Sequence, residues 1–167
     1  MEKTENRMPK EIRYSKSELR KTLHDVVRED KDFYAWGDGS DRDELVLREE
    51  AERQNFKTND LMERTAKFGE AVIRLAKRIP QNPVNNRLIV QLVVAGTSVG
   101  ANYCEADDAV SGKDYKKSIG TCRKESKESM FFLRMIATAE ENLTEEARTV
   151  WREAKELNLI FGSIWRK

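Results

Sequence analysis

Few side chains in this sequence have the types and spacing that chemistry asks for, and each can be held against a template. The chain has one histidine, His24, among 167 residues. No Glu-x-x-His pair occurs, so the di-iron carboxylate chemistry that some helical bundles build from two such motifs lacks its ligands, and no metal site is expected. Ser111-Gly112-Lys113 has the outline of the end of a phosphate-binding loop. The position five before Gly112 is Asp107 and the residue after Lys113 is Asp114, so the glycine-rich cradle and the hydroxyl that would hold Mg²⁺ are both missing. Cys104 and Cys122 have no histidine in their own part of the chain to draw off a proton, and no Gly-x-Ser-x-Gly elbow is present. Both cysteines are read as core residues. A carboxylate-only site using Glu105 stays open; no catalytic residue and no cofactor is assigned.

Binding chemistry is better represented. Placed at about 100° per residue on a helical wheel, Lys113, Lys116, Lys117, Arg123, Lys124, Lys127 and Arg134 fall in one sector of roughly 120° beside an apolar stripe. Between residues 112 and 139 seven basic residues stand against three acidic ones. A ridge of this kind fits phosphates and gives salt-dependent, sequence-tolerant binding, with Lys113, Lys116, Lys117, Arg123, Lys124 and Lys127 as the contacts. The same pattern also fits a solvated face, or a basic flank meeting the acidic flank of another subunit. Asn102 and Glu105 share a helix face next to a 17-residue uncharged run, 88–104. The structural reading is a hydrogen bond or ion pair to a neighbouring helix that fixes register. Gly96 and Gly100, four apart on the same segment, open a strip of backbone for close helix packing.

The elements that must position these residues are helices. Charged residues make up 37% of the chain and apolar ones 38%, with 8 Gly and 3 Pro, which disfavours a fold of many short strands. The formal charge of +1 excludes a protein basic throughout. From residue 58 onward four segments show helical periodicity. The first carries Leu61, Phe68, Ala71, Val72, Leu75 and Ile79, with Asp60 and Glu63 as a capping box and Pro80 and Pro83 as the stop. The second spans about 84–109 and is apolar almost all round in its first half, so it should be covered on several sides. The third starts at the Ser111 cap, reaches about residue 140, and leaves Phe131 and Phe132 outside its core stripe. Thr144 opens the fourth. Short connections give an all-α, antiparallel, up-down-up-down four-helix bundle over residues 58–167. Surplus apolar surface on the second and third helices, Phe131 and Phe132 included, calls for a homo-oligomer.

Residues 1–57 form an N-terminal arm, helical or partly disordered, with 13 basic and 15 acidic residues. Leu19, Leu23, Val26 and Val27 share one face there, and Phe33, Tyr34 and Trp36 are candidates to dock on the main domain or a neighbouring chain. The charged start has no apolar secretory core, and the uncharged run is shorter than the roughly 20 residues of a membrane span. A cytoplasmic protein with no membrane role is expected.

The run Ser98-x-Gly100-Ala101-Asn102-x-x-Glu105-Ala106, followed by Ser111-Gly112-Lys113-Asp114-Tyr115 and Lys124-Glu125-Ser126-Lys127-Glu128-Ser129, resembles the four-helix-bundle family encoded in the intervening sequences of bacterial 23S ribosomal RNA genes. Asn59-Asp60-Leu61 and Arg74-Leu75-Ala76-Lys77 are similar to its first helix. The resemblance implies ring-forming homopentamers. It also implies kinship with the accessory protein of diversity-generating retroelements, a basic barrel that binds nucleic acid and a reverse transcriptase. On that basis the partners are a second copy of the chain, RNA or DNA, or a protein such as a nucleic-acid enzyme. No catalytic residues come with the family. A protein-interaction scaffold, with nucleic acid incidental, is the alternative that the near-neutral charge favours.

Overall fold

Four helices and one 3-10 turn run in sequence through the computed structural model, which describes Phe33, Trp36 and residues 58–166. They are α1 (Thr58–Ala76), α2 (Pro83–Asp107), α3 (Gly112–Ala139) and α4 (Thr144–Trp165), with the 3-10 turn Glu141–Leu143 before α4. The first boundary differs from the expected one. Pro83 does not stop α1 but opens α2, where its missing N–H is no loss, and Asn82 caps that helix by accepting from the N–H groups of Val84 and Asn85. Ser111 caps α3 as expected, its Oγ accepting from Asp114 N at 3.1 Å. Thr144 is the first residue of α4, as expected, and its hydroxyl donates to Ala137 O.

Cross-helix contacts give the directions. Gly100 faces Thr65 while Gly96 faces Val72, so α1 and α2 are antiparallel. Cys122 lies against Val99 O, Asn158 against Arg123 O, and Arg64 against Glu153, which sets α3 on α2, α4 on α3 and α4 back on α1. The fold is therefore the expected antiparallel four-helix bundle. Its core is the stripe of each helix: Phe68 and Val72, Leu92 and Val99, Ile119 and Met130 with Leu133, Trp151 and Phe161. Tyr103 and Phe161 meet across it with ring centres 5.8 Å apart.

Buried polar groups tie the ends. Asn85 Nδ2 donates to Pro80 O and to Glu140 Oε1, joining the α1–α2 turn to the end of α3. The expected arm over residues 1–57, its helix faces and Tyr34 lie outside the described residues, apart from Phe33 and Trp36, which pack on the bundle. Among the described residues no helix is long and apolar enough to cross a membrane.

Candidate nucleic-acid interface

The rotation of α3 is set by what it buries. Ile119, Cys122, Ser126, Met130, Leu133 and Ile136 face the core, and that leaves Lys113, Lys116, Lys117, Lys124 and Lys127 exposed and Arg123 half-buried beside them. The six candidate cations thus share one side of one rigid helix.

Their surroundings are not uniform. Lys124 Nζ lies 3.5 Å from Glu128 and 3.6 Å from Glu125, and these carboxylates, Glu128 foremost, raise its pKa above the ordinary lysine value. Lys116 sits over the Trp165 ring at 5.4 Å and Lys127 over the Phe33 ring at 5.5 Å. Arg123, Lys124 and Lys127 line an open cavity of about 490 Å³ together with Gly120, Glu128, Asn158 and Trp165. Gly120 makes that wall possible, since a Cβ there would stand 3.1 Å from Trp165 Nε1. Asn158 fixes the floor, donating to Arg123 O at 2.6 Å and to Ser126 Oγ at 3.1 Å. Gly120, Asn158 and Trp165 were not among the expected site residues. Their only sequence signal is a glycine inside the basic sector and an asparagine inside an apolar stripe.

Other expectations change. Among the described residues Asn102 does not bond to a neighbouring helix: its Nδ2 donates to Ser98 O of its own helix at 2.8 Å. Glu105 is exposed and forms no ion pair among the described residues, so it fixes no register between these helices. Cys122 is core, but Cys104 is exposed, its thiol 3.4 Å from Met62 Sδ. Gly96 lies under Val72, and Gly100 has ordinary contact with the Thr65 backbone. Phe131 is exposed as expected, whereas Phe132, 5.2 Å from its ring centre, packs on the core. Val84, Val90 and Val94 of the second helix are exposed, which is the surplus apolar surface expected there.

Comparison with solved structures brings a protein of unknown function from the S23 ribosomal protein family of Bacteroides thetaiotaomicron, at a TM-score of 0.58 and 24% identity. The likeness shows the fold. It covers 98% of that protein and 66% of this chain, the share that residues 58–167 make up. No protein-family model matches the sequence, and no curated protein does.

Proposed function

We propose that this chain is a non-enzymatic, homo-oligomeric accessory protein that holds RNA or DNA by laying phosphates along the basic ridge of α3. The observation that carries the reading is the row of Lys113, Lys116, Lys117, Lys124 and Lys127, all exposed on one flank with Arg123 beside them. From first to last the row rises about 21 Å along the helix axis. A nucleic-acid duplex carries roughly 12 phosphates over that length, both strands counted, and those on its near face can meet the row. The Ser98 to Ala106 run and the S23-family likeness of the fold support membership in the 23S intervening-sequence family, and with it a pentameric ring.

A second reading has its own observation. Val90 and Val94 of α2 stand more than half exposed, and a protein scaffold with an apolar docking flank uses such residues directly. Size-exclusion chromatography with light scattering, recording absorbance at 260 and 280 nm, separates the two. A multimer with excess 260 nm absorbance that disappears in high salt is expected. Replacing Lys117, Lys124 and Lys127 by Glu should weaken binding alike for unrelated sequences and reduce the salt slope by about 3. Unchanged binding rejects the ridge, and a clean multimer without nucleic acid favours the scaffold.

A further inference from the structure

On the seam of α3 and α4 two aromatic residues from the N-terminal part of the chain are already seated. The Trp36 ring meets the Trp151 ring edge-on at 5.8 Å, and the Arg148 guanidinium lies 5.6 Å from the Trp36 ring centre. Phe33 has Lys127 of α3 over its ring in the same way, and Lys155 stands 5.6 Å over Trp151. Both rings pack against the core. Next to Trp36, Arg148 Nε and Trp151 Nε1 are buried with no acceptor among the described residues. Buried donors are nearly always paired, so this seat of aromatic surface and cations also has two places for an acceptor.

The sequence around the two anchors is the complement of that seat. Residues 29–44 hold seven acidic and two basic side chains around Phe33, Tyr34 and Trp36. Asp30, Asp32 and Asp38 are within three residues of an anchored ring. At no more than about 3.6 Å per residue, the backbone cannot carry them beyond roughly 11 Å from it. The screening length at physiological salt is about 8 Å, so these carboxylates attract Lys127, Arg148 and Lys155 where the chain lies against the seat and are screened from them where it swings away.

We infer that the α3–α4 seam is a docking site for an acidic aromatic peptide, and that residues 29–44 fill it as the chain's own tethered ligand. The rings anchor the segment, and the cations select for acidic flanks. A short tether holds its ligand at an effective concentration near millimolar, so a free peptide of the same chemistry meets a seat already occupied. A partner protein presenting two aromatic residues three apart in an acidic run would displace the arm and take its place.

The probe is a fluorescein-labelled synthetic peptide of residues 29–44, titrated by anisotropy with the full chain and no nucleic acid, which keeps the result independent of the ridge reading. The Phe33→Ala/Trp36→Ala chain, with its seat vacated, should bind the peptide about tenfold more tightly than the unaltered chain. Adding Arg148→Glu from α4, or Lys127→Glu from α3, should remove that gain, with circular dichroism confirming that each variant keeps its helices. A third chain, Asp30→Asn/Asp32→Asn/Asp38→Asn, keeps the anchors and loses only charge, and should bind the peptide about threefold more tightly. Equal affinity for the unaltered chain and the Phe33→Ala/Trp36→Ala chain overturns the inference. So does a gain that survives both charge reversals, or an acid-to-amide chain that behaves like the unaltered one.

Discussion

Gly96 and Gly100 read alike in the sequence and differ in the fold. A Cβ on Gly96 would lie 2.7 and 2.8 Å from the two Val72 methyl carbons, while one on Gly100 would be 3.5 Å from Thr65 O, an ordinary contact. Alanine in place of glycine inside a helix gains about 1 kcal/mol. At position 96 overpacking against a β-branched neighbour with one preferred rotamer takes back about 1–3 kcal/mol. Gly96→Ala should therefore lower the melting temperature and Gly100→Ala should leave it level or raise it, read by thermal circular dichroism. The sequence shows that a helix approaches this strip but not which glycine lies under the side chain, because Val72 comes from another helix. Burial also separates the cysteines: it pushes the Cys122 thiol up to about 12, against roughly 8.5 for an unfolded thiol. The folded pKa is the higher, so the stability this proton contributes is whole below about 8.5 and is lost as pH climbs through about 12. Tyr103 and Tyr115, raised chiefly by burial, act in the same direction. The melting temperature should fall progressively in alkali, and Cys122→Ala should flatten part of the slope. At pH 8 iodoacetamide should modify Cys104 alone until the chain is denatured.

Between elements, the seam of α1 and α4 depends on one polar clamp. Arg64 Nε donates to Glu153 Oε1 at 2.6 Å and its Nη2 donates to Glu153 Oε2 and to Glu156. Burial opposes the Arg64 charge, yet the two carboxylates outweigh it and hold the guanidinium proton above its usual range. Exposed ion pairs contribute about 0–1 kcal/mol, and breaking a buried pair costs about 3–5 kcal/mol. This half-buried clamp lies between, so Arg64→Ala should destabilise by about 1–3 kcal/mol in urea unfolding. Hydrogen exchange should then speed up first along α1. The helices themselves were legible because apolar spacing and caps are local: the Ser111 cap and the core stripes of α1 and α3 lie where the sequence places them. The clamp was not, since its partners are 89 and 92 residues from Arg64 and nothing local marks them. Asn82 escaped notice for a different reason, as the adjacent prolines read as a stop and hid a helix start.

At the scale of the molecule the bundle is what the sequence implies, and the surplus apolar surface is where its reading ends. A helix apolar nearly all round must meet something on every side, yet one chain leaves Val84, Val90 and Val94 at 64%, 57% and 56% exposure, with Ile73 of the neighbouring α1 at 39%. Fully burying a valine contributes about 1.5–3 kcal/mol, so covering what is left open on these four side chains is worth several kcal/mol of association. A formal charge of +1 offers little repulsion against it. If α2 carries the subunit interface, Val90→Glu/Val94→Glu places two carboxylates on that face, where desolvation opposes assembly and the exposed sites leave the fold of each chain intact. Sedimentation velocity should show the multimer falling to a smaller species while the helical signal and melting of the dilute protein hold. An unchanged sedimentation coefficient removes α2 from the interface and moves assembly to the exposed Phe131 flank of α3. That flank borders the basic ridge, so assembly there would bring phosphate contacts and subunit contacts onto the same helix.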